Sequence, residues 1–139
     1  MKLKFMARTL LPFAILVSQA SFATMPPKPA KCPDASAIRS VGIELVQRDN
    51  DGTWVGGVQA NKYQTNDLWT FIVGKIPANN ETDARTKALK SLNSLRFIQG
   101  PIANPQYNVW VCIFGNDMNY ISGSITPPLS LKPTLQIIK

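Results

Sequence analysis

The chain of 139 residues contains no histidine. That absence removes imidazole from every role at once: no histidine-activated serine or cysteine, no histidine metal ligand and no histidine-ligated haem. Charge is sparse as well, at 17% of residues against 45% hydrophobic. The acidic residues are only Asp34, Glu44, Asp49, Asp51, Asp67, Glu81, Asp83 and Asp117. Most of them sit beside turn residues or at a helix start, where turn formation and capping account for them. Gly56-Gly57 is followed by neither Gly-Lys-Ser/Thr nor a GxGxxG spacing, so no phosphate-cradling loop is present. Asp49-Asn50-Asp51-Gly52 is similar to the start of a calcium loop but lacks the glutamate that would close it, and it reads as a hairpin turn. Ser122-Gly123-Ser124 has no base beside it. The expectation is a protein without catalysis, with no metal site and no required cofactor. The composition is too apolar for disorder and shows no fibrous period, which leaves one small globular domain.

What is present begins at the N-terminus. Lys2, Lys4 and Arg8 precede a short apolar stretch from Leu10 to Val17, and Ser21-Phe22-Ala23 offers small residues two positions apart. This is the pattern of a signal peptide over residues 1–23, cleaved near Ala23. The apolar core is far shorter than the roughly 20 residues that span a bilayer, and no later run is longer, so no transmembrane segment is expected. Cleavage leaves residues 24–139 with twelve basic and eight acidic residues, a net charge of +4. The remaining cations are scattered, unlike the clustered contacts that nucleic-acid binding needs. The expected address is secreted or periplasmic.

Two cysteines remain, Cys32 and Cys112. An even count in an exported chain predicts a disulfide; CxxC spacing for redox or metal work is absent. The bond would close a loop of 81 residues, worth about 4 kcal/mol on the chain-entropy model.

Residues 24–37 carry Pro26, Pro27, Pro29 and Pro33 and read as an extended, proline-rich lead-in. The single domain is then expected over 38–128. Ile43 to Arg48 alternates, Asp49 to Gly52 turns, and Thr53 to Ala60 returns, a hairpin whose Gly56-Gly57 suggests a bulge or a close backbone approach. Leu68 to Val73 predicts a third, mostly buried strand, ended by Pro77. Asn80 is a good N-cap, and Ala84, Ala88, Leu92 and Leu95 line one helical face, with Asp83 and Lys87 spaced to pair. Tyr107 to Phe114 predicts a strand with Tyr107, Val109, Val111 and Ile113 on one side and Trp110, Cys112 and Phe114 on the other. Gly115 to Asp117 turns it, Met118 to Ile125 returns, and the tail 129–139 alternates loosely as a possible edge strand. The fold class is therefore α+β: a mainly antiparallel sheet of five or six strands with one amphipathic helix packed on one face. One helix cannot cover both faces, so the second must be solvated, curved, or covered by the tail, a ligand or a partner.

Aromatic and sulfur-bearing side chains are the remaining chemistry. Without histidine, a haem here would take Tyr, Met or Cys as axial ligand. Tyr63, Tyr107 and Tyr120 are the candidates, with Met118 and Trp110 beside them and Lys62 or Arg96 to face the propionates.

The leader, the proline-rich stretch with its single cysteine, and Leu68-Trp69-Thr70-Phe71 form one set of features. Asp83 to Leu89, Tyr107-Asn108-Val109-Trp110-Val111-Cys112 and Thr126-Pro127-Pro128 complete it. Together they resemble the small secreted proteins grouped with the haemin-binding protein of intracellular bacterial pathogens. The resemblance implies an exported binding protein with haemin, or another flat apolar ligand, as its expected ligand. The competing expectation is a secreted protein-interaction module, an inhibitor or host-directed factor, that uses an uncovered sheet face.

Overall fold

Turn chemistry builds the first hairpin. In the computed structural model, which describes residues 24–139, β1 (Leu45–Arg48) and β2 (Trp54–Asn61) pair antiparallel with Arg48 opposite Trp54. Residues 1–23, where the signal peptide is expected, lie outside the described residues. The Asp49 amide donates to the Thr53 carbonyl at 2.7 Å, and Gly52 takes the left-handed φ of +89° that the reversal needs. Asp51 Oδ1 accepts from the Thr53 amide at 2.9 Å and the Thr53 hydroxyl at 2.6 Å, while Lys75 donates to its other oxygen.

These contacts, that of Lys75 foremost, hold the Asp51 carboxyl well below the usual carboxylate range. A carboxyl depressed on folding stabilises the native state above its unfolded pKa, and that contribution is lost as pH falls through the folded value. The melting temperature should therefore drop on acidification below about pH 4, the ordinary aspartate value. The drop should be shallower in Asp51→Asn. Parallel acid profiles for the two proteins would show that the turn carboxylate does not contribute.

β3 (Trp69–Ile76) pairs with β2 and is followed by α2 (Glu81–Leu92), β4 (Arg96–Asn104), β5 (Val109–Gly115), β6 (Ile121–Thr126) and α3 (Leu131–Ile138). A seven-residue α1 (Ala35–Val41) precedes β1. The fold is α+β, one open antiparallel sheet in the order β1-β2-β3-β6-β5-β4. The expected helix forms as its residues require. Asn80 accepts from the Asp83 amide at 2.9 Å, Lys87 pairs with Asp83 at 3.3 Å, and Ala84, Ala88 and Leu92 are buried.

Strand parity divides the core into two layers. Trp69, Phe71 and Val73 of β3 and Cys112 and Phe114 of β5 point to the face covered by α1 and α2, where they meet Ile38, Ala88 and Leu92. Ile72 of β3 points the other way, onto Leu131 and Leu135 of α3, beside a second cluster of Val109, Val111 and Ile125.

Here the structure corrects the sequence reading: there are three helices among the described residues, and the tail is not an edge strand but the helix α3 lying across the second face. Leu131, Leu135 and Ile138 fall at helical spacing, and Pro133 is tolerated because it sits in the first turn. The sheet receives this helix through Gly57, Gly74 and Gly123 on three adjacent strands. A Cβ on Gly74 would overlap Leu135, and one on Gly123 would come within 2.7 Å of Ile138 Cδ1. The neighbouring Gly56 faces the opposite layer, 3.3 Å from the Ala88 Cβ, so the glycine pair serves close approach on both faces.

Two further elements depart from expectation. The lead-in is extended only as far as Asp34, because Ala35–Val41 forms α1 between Asp34 and Gly42, which has a φ of +82°. β4 runs through Gly100-Pro101, with register shifts on either side of Gln99.

Candidate functional site

The extended lead-in, residues 24–34, crosses the α2-side face of β5. Its path is set by three contacts: the Trp110 indole Nε1 donates to the Pro26 carbonyl at 2.9 Å, Lys28 Nζ sits 6.0 Å from the Trp110 ring, and Cys32 is bonded to Cys112. The disulfide expected from the cysteine count is thus present, with Cα atoms 5.9 Å apart, inside the core cluster. Two clefts of about 340 Å³ each flank the lead-in and share Ala30 and Lys31 as their common wall. One is apolar and closed on its far side by Phe97, Gly100 and Pro101 of β4. The other is polar and closed by Gln64 to Asp67 of the β2–β3 loop.

The β4 side of this region is the most exposed apolar part of the described surface. Seven large apolar side chains stay exposed among the described residues, and four of them lie between 97 and 107: Phe97 (49%), Ile98 (56%), Ile102 (39%) and Tyr107 (49%). Phe97 is anchored edge-on against Phe114, with centroids 5.8 Å apart, so half of a rigid ring is presented to solvent. β4 is the last strand of the sheet, and residues 97–104 carry no charge. Its outer edge is nevertheless a poor template for continuous pairing, because Pro101 has no N–H and the register shifts bend the strand.

The seven residues proposed as ligand contacts do not come together. Arg96 lies opposite Gly115 at one end of the β4–β5 pair, and Tyr107 lies in the connection after Asn104 at the other, roughly 25 Å away along extended chain. Arg96, Met118 and Tyr120 belong to the first end. Arg96 pairs with Asp117 at 3.2 Å, and Met118 and Tyr120 are held by the buried Asn116, whose Oδ1 accepts from both of their amides. That loop is why β6 starts at Ile121 and not at Met118. Tyr107, Trp110, Lys62 and Tyr63 belong to the other end, where Trp110 is engaged by the lead-in and Lys62 is exposed. Tyr63 is a core residue, 2% exposed, with its hydroxyl lacking any partner among the described residues, and burial raises its phenol pKa far above the ordinary value. Burial thus disfavours the phenolate that a tyrosine axial ligand would supply. Tyr63→Phe removes only that unpartnered hydroxyl, so stability should stay level or rise by up to about 1 kcal/mol in denaturant unfolding. A loss larger than that would reveal a hydrogen bond to the hydroxyl.

Among the described residues no group of three or more Cys, Asp or Glu side chains is arranged to hold a metal ion, and no helix is long and apolar enough to cross a membrane. The chain matches no family model, no curated protein and no solved structure. The contribution of the lead-in and of β4 to the surface was not visible in residue types: Gly100-Pro101 reads as a break, and nothing local pairs Pro26 with Trp110.

Proposed function

We propose that the protein is exported, is cleaved after Ala23, and acts by binding, without catalysis, to an apolar segment of another protein through the β4 margin. The observation that carries this reading is the half-exposed Phe97 ring walling an apolar cleft on an uncharged edge strand whose other face exposes Ile98 and Ile102. Exposed apolar surface rimming a cleft on a small protein marks an interaction site, and rigid aromatic anchors dominate such interfaces. The interrupted strand edge favours recognition by side chains, with a partner's apolar residue entering the cleft beside Phe97. The disulfide supports the exported address, since such bonds persist in oxidising compartments. The wide sheet face that an interaction module was expected to use is occupied by α3, which moves the surface to the margin.

Photo-crosslinking in the native host tests this. A benzophenone side chain replacing Phe97 should give one stoichiometric protein adduct that is absent when the probe replaces Lys90 and is lost when the exposed Ala30 on the opposite wall of the cleft is replaced by aspartate. No adduct at 97, or the same adducts from both positions, would overturn the reading. So would a saturable Soret shift on titration with haemin that is lost in Tyr107→Phe, because it would assign the flat ligand to the exposed β4–β5 turn.

A further inference from the structure

The lead-in is held to the sheet in an unusual way. Four of its residues are prolines, and the cis bonds of the described chain lie elsewhere, at Gly100-Pro101 and Thr126-Pro127. Proline fixes φ near the polyproline value and disfavours helix for the residue before it, so Met25 to Pro29 is stiff before it docks. Upstream of Cys32 no backbone hydrogen bond joins it to the rest of the described chain. Its attachments there are the Trp110 indole on the Pro26 carbonyl, Lys28 over the same ring and the burial of Pro29. An indole N–H donating to a carbonyl of a stiff, proline-rich strand, with apolar and polar clefts on either side, is a peptide-recognition geometry.

We infer that Trp110, between the wall of Phe97, Gly100 and Pro101 on one side and that of Gln64 to Asp67 on the other, forms a binding site for proline-rich peptide, and that residues 24–31 occupy it as a built-in competitor. The occupant in trans is a proline-rich segment of a partner protein that carries a lysine or arginine among its prolines, as Lys28 stands here. A second copy's arm is the poorer fit. Cys32 is tied to Cys112, two residues from Trp110, so each arm is confined near its own site at high effective concentration. A stiff ligand loses little entropy on docking, so a single indole between two walls is enough to select it. This inference takes export and cleavage after Ala23 from the proposed function but does not need the β4 margin to bind anything.

The test is a titration of the mature chain, residues 24–139, with the synthetic peptide Thr-Met-Pro-Pro-Lys-Pro-Ala-Lys, followed by indole N–H resonances in NMR. The three indoles are distinguishable by environment, since Trp54 donates to the Ala78 carbonyl and Trp69 to the Thr65 hydroxyl. A second titration uses the chain carrying Pro26→Gly, Pro27→Gly and Pro29→Gly, which loosens the arm and leaves the site intact. The expected result is a saturable shift of the Trp110 indole alone. Its affinity should be about tenfold or more higher in the glycine variant, because the competitor is absent from the site for more of the time. No saturable shift, a shift confined to Trp54 or Trp69, or equal affinity in the two chains would overturn the inference. Concentration-dependent dimerisation of the wild-type chain that moves the same resonance would overturn the assignment to a partner protein and place a second copy's arm there. Either failure leaves crosslinking at Phe97 unaffected.

Discussion

Gly57→Ala should lower the stability of the domain by about 3–4 kcal/mol, a drop in melting temperature of roughly 15 °C at this chain length. The added methyl would overlap the carbonyl oxygen of Phe71 on the adjacent strand, and it would reach within 3.1 Å of Leu131 Cδ2. A flexible side chain can move aside, but the Phe71 carbonyl belongs to the backbone of β3, in the middle of the sheet. Relief requires β2 and β3 to separate locally, which also loosens the trough that holds α3. Gly74→Ala is the informative comparison. Its methyl meets the Leu135 side chain, so part of the clash can be relieved by a rotamer change and the loss should be smaller. Thermal unfolding of the two variants measures the difference. A Gly57→Ala protein that melts within a few degrees of wild type would contradict the packing described for the two strands.

Removing the disulfide with Cys32→Ala and Cys112→Ala should cost about 4 kcal/mol, because the bond closes a sequence separation of 80 residues and its loss releases that loop in the unfolded chain. Against a stability of about 5–15 kcal/mol for a domain of this kind, this is a large fraction. Two buried sulfurs are also lost from the core cluster that holds Phe114 and Leu95, and the lead-in loses its covalent tie to β5. Equilibrium unfolding in urea should show a lower midpoint and a steeper slope, since the uncrosslinked chain exposes more surface on unfolding. A midpoint unchanged within error would mean that the crosslink does not constrain the unfolded ensemble.

Elements whose signals are local were legible from the residues. The Asp49 to Gly52 turn, the Asn80-capped helix and the two-sided alternation of β5 each rest on neighbours within a few positions and are found, although β5 starts at Val109 and not at Tyr107, because Tyr107 and Asn108, with its φ of 54°, close the turn after β4. The cysteine pairing was legible because an even count left one partner. What failed was long-range or masked. α3 is eight residues long with Pro133 inside it, and Leu129, Leu131 and Ile137 also fit an alternating strand until the glycine trough opposite is known. β4 was hidden because Gly100-Pro101 reads as a stop, although on an edge strand a proline only forfeits a bond toward solvent. The candidate ligand residues were chosen by type, and burial separates them: Tyr63 is inside the core while Tyr107 stands on a turn. The seat of Pro26 on Trp110 joins residues 84 positions apart, a distance over which no pattern in the chain carries information.

Native mass spectrometry of the protein purified from its own host tests export and binding in one measurement. The predicted result is a chain of residues 24–139, lighter than its reduced form by the two thiol hydrogens and carrying a stoichiometric protein partner that dissociates when Phe97 is replaced by serine. A chain still carrying residues 1–23, two free thiols, or a partner held equally well by the Phe97→Ser protein would contradict it.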